Sequence, residues 1–345
     1  MGLPPSFLSV KSKATIAHPN KKWAARFHLT VTHRVRLANL RALCQDNLMK
    51  IGAFDVIEPL PELRDAHVIS ILHPWIDAGN VGTLSLVRLE QHFGAQQIAH
   101  LTTPGVFFDF TRYRPVTKMV DGKRTLTIPN TTVSLARQSD GPDILLCRVY
   151  EPHSFADAYI DSIHELFKAL KVKRHTRLGG MWDAVPHTRP LLVTGTMDGK
   201  PLNNIKGLTT RRWGQYEGPT TILGLLNNKL EAEGVENASF MVHLPQYLQL
   251  EEDFTGTARL LEVLSNFYPI PAKVTKAEMG TEQYEDLNAQ VERNPEAKRL
   301  VRRLEAHYDT RTTAQEAEKE REDVPPLSPG IQQFLNDLGR RLDDA

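Results

Sequence analysis

The sequence contains few cysteines, no long apolar runs and none of the short motifs that identify common enzymes. Its 345 residues include two cysteines, Cys44 and Cys147, too few for a disulfide framework or a four-thiolate zinc site. Cys147 lies in the apolar run DILLCRV, where a buried thiol is the usual state. No run approaches the roughly 20 apolar residues that a bilayer helix needs. We therefore expect a reduced, cytoplasmic protein without membrane spans.

Catalytic signatures are absent as well. The sequence has no Walker loop, no GxGxxG, no GxSxG, no HExxH and no paired CxxC, so phosphate cradling, serine hydrolysis and zinc catalysis lack their usual basis. The 13 histidines are scattered along the chain. With 42 basic and 41 acidic residues, the net charge of +1 gives no reason to expect binding to nucleic acid or to a membrane surface. We expect no metal and no cofactor.

The first 45 residues lack acidic side chains, although they contain eight lysines and arginines. A secretory signal is the weakest explanation, because no apolar stretch follows the basic residues. A basic arm that contacts acidic partners is an alternative. We favour a third interpretation, because Met49 opens MKIGAFDVIEPLPEL, which is typical of a natural start. Residues 1–48 are then a poorly structured extension outside the core, or sequence upstream of the true start.

Between Met49 and Lys273 the pattern alternates between strands and helices. Short apolar runs of strand length are followed by segments with apolar residues at helical spacing, as in HVISILH and then VGTLSLVRLEQHFG. The same alternation recurs in three further segments, which are DILLCRV with SFADAYIDSIHELFKAL, RPLLVTGTM with GPTTILGLLNNKLEAEG, and ASFMVHLP with TGTARLLEVLSNFYP. Four strands, each followed by a helix, predict an α/β domain over residues 49–273 with a mostly parallel sheet.

Two regions depart from this alternation. Residues 106–136 contain a DG turn flanked by polar and β-branched residues, which predicts an inserted β-hairpin. Residues 274–345 are charged and predict a C-terminal helical region that is broken near Pro295. Within that region, residues 310–330 have the composition of a linker, and residues 331–345 predict a short amphipathic helix.

Ligand sites of parallel sheets lie at the carboxyl ends of the strands, so the loop DAGNVG is the first candidate. Asp77, Gly79 and Asn80 lie at a strand-to-helix turn, where small residues permit close backbone approach and a helix N-terminus can hold an anion. The structural alternative is that Asp77 or Asn80 caps the helix while the glycines shape the turn.

Four other segments carry candidate site residues. His187 of VPHTRP is a possible general base, and the alternative is that this motif orients a turn. Glu217 is a carboxylate or a neighbour of a helix cap, and FTRYRP forms a basic and aromatic patch suited to a partner or an anion. His243 and Tyr247 of HLPQY lie at the carboxyl end of a predicted strand. The candidates from these four segments are Arg112, Arg114, His187, Arg189, Glu217, His243 and Tyr247.

The order of these motifs resembles the proteasome assembly chaperone 2 family, and in particular its longer bacterial members common in actinobacteria. The resemblance covers roughly residues 55–310 and rests on several segments in the same order, which are DAGNVG, HFGAQQIAHL, FDFTRYRP, VPHTRP, GPTTILGLL and HLPQYL. It implies a three-layer α/β/α sandwich similar to nucleoside phosphorylases and peptidyl hydrolases, and a homo-oligomer such as a trimer. The family has no established catalytic residues that the resemblance could assign to this chain.

Two functions remain open from the sequence. The first, implied by the resemblance, is a non-enzymatic assembly chaperone or scaffold with a protein client or a proteasome-related partner. The alternative is an enzyme or ligand-binding protein for nucleoside-like or acyl molecules. That alternative requires at least three of a set of four residues to meet in one cleft, the set being Asp77, Asn80, His187 and Glu217.

Overall fold

A computed structural model describes residues 47–202, 205–209 and 218–322 of the chain. They form twelve strands and six α-helices. The strands are β1 (Leu48–Ile51), β2 (Phe54–Ile57), β3 (His67–His73), β4 (Gln96–Leu101), β5 (Val116–Val120), β6 (Lys123–Thr127), β7 (Thr132–Ala136), β8 (Ile144–Tyr150), β9 (Arg174–Asp183), β10 (Val193–Met197), β11 (Lys200–Pro201) and β12 (Glu236–Pro245). The helices are α1 (Val81–Phe93), α2 (Ala156–Ala169), α3 (Ile222–Ala232), α4 (Phe254–Leu264), α5 (Ala277–Glu292) and α6 (Pro295–Glu322).

Ten strands form one mixed sheet, in the order β1-β2-β4-β7-β8-β3-β9-β12-β10-β11. The predicted α/β class is confirmed. The prediction of a mostly parallel sheet is wrong, because only the three pairings within β8-β3-β9-β12 are parallel and the other six are antiparallel. The physical reason is the connections: residues 137–143 reverse the chain between β7 and β8 without a crossover helix, and a parallel pair requires such a crossover.

The parallel strands lie in the middle of the sheet because both of their faces are apolar. In β3, Val68 and Leu72 belong to one buried cluster, whereas Ile69 and Ile71 belong to another. This alternation follows from the two-residue period of a strand. Helices α2 and α3 contribute buried residues to the first cluster, and α1, α4 and α5 contribute to the second.

The predicted hairpin is present as a separate two-stranded sheet of β5 and β6. Its turn residues Asp121 and Gly122 have φ values of 50° and 74°, and a two-residue hairpin turn of this kind needs positive φ at both positions. Nearly all residues of the two strands are exposed. The hairpin therefore contributes little to either apolar cluster.

The structure describes regular elements at two of the predicted domain limits. Strand β1 begins at Leu48, one residue before the expected start of the core, and residues 310–322, expected as linker, continue α6. The basic extension up to residue 46, the rest of that linker, the predicted helix over residues 331–345 and the candidate Glu217 lie outside the described residues. Among the described helices, none has the length and apolar composition needed to cross a bilayer.

Candidate functional site

The carboxylate of Asp77 holds the first turn of α1. Its Oδ1 accepts the backbone N–H of Gly82 at 2.7 Å and that of Thr83 at 3.3 Å, and its Oδ2 accepts the Thr83 hydroxyl at 2.6 Å. These bonds satisfy donors that have no partner within the helix. Asp77 is buried, and its carboxylate caps the first turn of α1. This is the structural role that the sequence offered as the alternative to a ligand site.

Gly79 and Asn80 connect this loop to the segment before α4 through hydrogen bonds. The carbonyl of Gly79 accepts the backbone N–H of Asp253 at 2.8 Å, and the Asn80 amide donates to the carbonyl of Glu251 at 2.8 Å. Gly79 has a φ of 59°, and a Cβ built on it would lie 2.8 Å from the Asp253 Cβ. The glycine is needed because its φ is positive and the Asp253 Cβ occupies the space that a side chain would require.

Asp253 is a buried polar residue of this region that is not among the predicted site residues. Its Oδ1 accepts the Gly256 N–H at 2.7 Å as the cap of α4, and its Oδ2 accepts the Tyr284 hydroxyl of α5 at 2.8 Å. Burial raises the pKa of the Asp253 carboxyl to about 6, against the hydrogen bonds that lower it. An Asp immediately before a helical apolar pattern is the local signal that could have identified it.

His187 and Tyr247, both predicted site residues, lie together. The His187 Nδ1 and the Tyr247 hydroxyl are 2.5 Å apart and share a hydrogen bond, and the same hydroxyl accepts the His187 backbone N–H at 2.9 Å. Burial lowers the pKa of His187 and raises that of Tyr247 to about 12. His187 also lines a cavity of about 900 Å³ beside α4 and α5, together with Tyr284 and Asn288.

Arg189 fastens α6 to the core. Its Nε and Nη2 each donate to one oxygen of Asp309 at 2.9 Å, and its Nη1 donates to Glu305 at 2.9 Å. Thr188 donates to Glu305 at 2.6 Å, and the Tyr308 hydroxyl donates to the carbonyl of the neighbouring Pro190 at 2.8 Å. The VPHTRP motif therefore serves as an anchor for a helix more than 100 residues further along the chain.

His243 belongs to a buried polar chain that has the connectivity of a hydrolase triad. Its Nδ1 lies 2.8 Å from the Asp183 carboxylate, and its Nε2 lies 3.1 Å from the Thr194 hydroxyl. The His243 side chain is wholly buried and Thr194 is nearly so. A substrate carbonyl has no access to that hydroxyl in this arrangement.

A second set of the same kind lies between β3, β9 and α3. The Ser70 hydroxyl lies 2.7 Å from His175 Nε2, and His175 Nδ1 lies 3.1 Å from Asn227 Oδ1. Ser70 and His175 are wholly buried. Burial, followed by the charge of Arg177, lowers the pKa of His175 to about 3, which makes it a poor general base at neutral pH.

Arg112 lies at a cavity of about 610 Å³ beyond the carboxyl ends of β3 and β8. Its Nε is 3.9 Å from the Asp109 carboxylate. Arg114 is exposed on the same segment and is not among the lining residues of this cavity. The lining residues are Trp75, Asp109, Arg112, Tyr113, Glu151, Pro152, His153 and Ser154.

The set required for an enzyme does not converge in the described residues. His187 lines the larger cavity, whereas Asp77 and Asn80 line neither of these two cavities. The carboxylate of Asp77 bonds to Gly82 and Thr83 of α1, and the Asn80 amide bonds to the Glu251 carbonyl. The structure does not describe the fourth member, Glu217. In the described part of the chain, no group of three or more His, Cys, Asp or Glu side chains is placed to hold a metal ion.

Comparison with known proteins identifies relatives of the chain. The model of the PAC2 family matches residues 71–293, which is more than half of the chain. A Mycobacterium tuberculosis protein of unknown function superposes with a TM-score of 0.68 at 24% identity, covering 79% of this chain and 93% of that one. A PAC2 family protein from Streptomyces avermitilis gives 0.59 at 24%, covering 69% and 100%.

A third solved structure, a proteasome-assembly chaperone homologue from Mycobacterium tuberculosis, has a TM-score of 0.57 at 22% identity and covers 68% of this chain and 99% of that one. At these identities the three structures show the shared fold. Among curated proteins, no sequence matches the chain.

Proposed function

Because the chain belongs to the PAC2 family, we propose that it is a non-enzymatic assembly chaperone or scaffold with a proteasome-related protein partner. The chaperone homologue among the structures of the same fold supports this role. We further propose that the protein acts as a homo-oligomer, with a trimer favoured.

The exposed hairpin β5–β6 is the observation that carries the proposal. Met119 is 66% exposed and Leu126 is 61% exposed, and both lie on the same face of the hairpin, near one another in the register Thr117↔Leu126 and Met119↔Arg124. Isolated two-stranded hairpins are marginally stable in water, and clustered exposed apolar side chains mark interaction surfaces. A second protein, or a second copy of this chain, would bury these side chains.

The buried triad-like sets weigh against the enzyme alternative. Both have hydrogen-bond distances suited to a hydrolase, yet the histidines His175 and His243 have no exposed surface. Their polar groups satisfy one another inside the sheet, which buried polar groups must do in any stable fold. Such sets therefore need no catalytic explanation.

Three further expectations belong to the same proposal. The two apolar clusters, each with its own helices, support an α/β/α layering of the core at residues 49–273. Residues 274–345 would form a helical region attached to that core, and α5 and α6 support this division. We propose a cytoplasmic location, where proteasome-related partners and a reduced Cys147 would be found.

The test compares a hairpin variant with a matched surface variant. The double variant Met119→Ser, Leu126→Ser removes the exposed apolar pair, and Leu225→Ser removes an exposed leucine from α3 as a control. We expect the wild type and the control to bind purified proteasome α-subunits of the source organism and to change their rate of assembly, and the hairpin variant to bind at least tenfold more weakly. A wild type that neither binds α-subunits nor alters their assembly contradicts the chaperone role.

Light scattering after size-exclusion chromatography tests the oligomer. We expect a mass near three times the 38.9 kDa of one chain. A monomer mass at micromolar concentration contradicts self-association. A shift to monomer in the hairpin variant alone identifies β5–β6 as the contact between copies.

A further inference from the structure

Strands β3 and β8 are parallel neighbours whose helices pack on opposite faces of the sheet. Helix α1, which follows β3, contributes Val81 and Leu86 to one apolar cluster, and α2, which follows β8, contributes Tyr159 and Ile160 to the other. The two loops therefore diverge beyond the strand ends and open a crevice between them. Open α/β sheets bind ligands in crevices at this position.

The smaller cavity occupies this crevice. Trp75 comes from the end of β3, Glu151 and His153 come from the end of β8, and Asp109 and Tyr113 come from the segment after β4. Its volume of about 610 Å³ lies within the range of small-molecule sites. This position was not predicted as one site, because its walls come from three separate parts of the sequence.

Two aromatic rings and two carboxyl groups dominate the lining. Trp75 is 62% exposed, which is unusual for the largest side chain, and Tyr113 is fixed by a hydrogen bond from its hydroxyl to the Glu151 carbonyl at 3.0 Å. Hydrogen bonds from Thr111 lower the pKa of Asp109, which keeps that carboxylate ionised. Tryptophan and tyrosine rings attract cations through their π faces, and carboxylates reinforce this attraction.

Glu151, His153 and Arg112 are further titratable groups of the lining. Burial raises the pKa of Glu151, and its carboxylate accepts the backbone N–H of Ile222 at 3.1 Å. The Nδ1 of His153 accepts the backbone N–H of Asp109 at 3.2 Å. Among the described lining residues, Arg112 is the one arginine or lysine, and its side chain is 73% exposed with a 3.9 Å contact to Asp109. A contact of that length at the surface is weak, so Arg112 competes for Asp109 without filling the cavity.

Two non-glycine residues beside the same crevice have a left-handed backbone conformation. Ile76 follows Trp75 and has a φ of 53°, and Phe155 follows Ser154 and also has a φ of 53°. Bulky residues rarely adopt this left-handed conformation, and its cost is typically retained at functional sites. Both residues directly follow lining residues of the cavity.

We propose that the β3–β8 crevice binds an organic cation, an ammonium or guanidinium group on an apolar stem, against the rings of Trp75 and Tyr113 with Asp109 as its counter-charge. The cation comes from a free amine or from a lysine or arginine side chain of a protein. This site is independent of the proteasome-related role.

Calorimetry and the NMR signal of the Trp75 indole, assigned with Trp75→Phe, measure binding of defined probes. The probes are n-butylammonium, n-butylguanidinium, the neutral n-butanol, the anion butyrate, and a blocked lysine peptide with its norleucine counterpart. We expect saturable binding of the cations and of the lysine peptide only. The tighter of n-butylammonium and the lysine peptide identifies the source of the cation.

Substitutions distinguish a cation site from an anion site. Trp75→Leu and Asp109→Asn should each weaken cation binding at least about fivefold, whereas Asp140→Asn, at an exposed carboxylate before β8, should not. Arg112→Ala should tighten cation binding severalfold, because it removes the competing charge. Equal binding of n-butanol, binding of butyrate that Arg112→Ala abolishes, or no saturable binding of any probe would overturn the proposal.

Discussion

The guanidinium of Arg189 and the carboxylate of Asp309 form a two-bond ion pair across 120 positions of sequence, with both N···O distances at 2.9 Å. Paired bonds of this geometry fix orientation as well as distance, because the planar guanidinium matches the planar carboxylate. The pair places α6 against the segment that precedes β10. Together with Tyr308, it accounts for the polar residues Thr188 and Arg189 at the solvent side of the VPHTRP motif.

Arg189→Gln should release α6 from the core. Glutamine cannot replace the two parallel bonds to Asp309, so amide exchange over residues 295–310 should accelerate severalfold. The strands should keep their protection, because α6 contributes only Tyr308 to the small cluster with Val185 and Leu192. Hydrogen exchange read by mass spectrometry checks this. Arg303→Gln, at an exposed position of the same helix, is the control, and equal effects of both variants would refute the anchoring role.

Asp253→Asn should change how stability depends on pH. The folded-state pKa of Asp253 is about 6, above its usual value, so ionisation costs the folded state more than the unfolded state. Its contribution to stability is largest at low pH and declines as the pH rises towards 6. We expect the free energy of unfolding of the wild type to fall by about 2 kcal/mol relative to the variant between about pH 4 and pH 7. Urea titrations of both proteins measure it, and parallel pH profiles would contradict the raised pKa.

His175→Gln should act in the opposite direction. The pKa of His175 is lowered from 6.5 to about 3, so the neutral ring stabilises the fold above pH 6.5 and this contribution is lost as the pH falls. Relative to the variant, the wild type should lose about 2 to 3 kcal/mol between about pH 7 and pH 4.5. The same urea titrations apply. A wild type that is no more acid-sensitive than His175→Gln would show that burial does not lower the pKa of the ring in the folded state.

Gly180→Ala should destabilise the contact between β9 and α1. A Cβ at Gly180 would lie 2.5 Å from Val81 Cγ2 and 2.9 Å from the Ala78 carbonyl oxygen. Overpacking of this kind costs about 1–3 kcal/mol. Thermal unfolding measures the loss. Gly141→Ala is the comparison, because its Cβ would meet nothing within 4 Å and tests only the cost of a positive φ.

The local elements could be predicted from the sequence, whereas the pairing directions could not. The apolar run HVISILH corresponds to β3 and the helical spacing after Asn80 corresponds to α1, because both patterns depend on neighbouring residues. Strand β7 was absorbed into the predicted insertion, and its antiparallel pairing with β8 makes the sheet mixed. Strand direction depends on how the connections run through space, and residue types alone do not encode that.

The site shows the same division. Their position at a strand end makes Asp77 and Asn80 candidates for a ligand site. Their hydrogen bonds to Gly82, Thr83 and Glu251 show that they stabilise the loop. His187 and Tyr247 were both selected, and nothing local indicated that they touch. The sequence does not identify Trp75 and Glu151 as site residues. They lie on separate loops, and only the folded chain brings them to the wall of one cavity.

The hydrogen bond between Gly79 and Asp253 also orders events during folding. Strand β3 can pair with β8 once residue 150 has been synthesised, but the loop that follows it lacks its partners until residues 251–253 emerge. Contacts between distant residues form late, because closing a long loop costs entropy before it gains any interaction. We therefore expect the loop after β3 to be among the last parts of the core to be completed, although the strand that carries it is at the centre of the sheet.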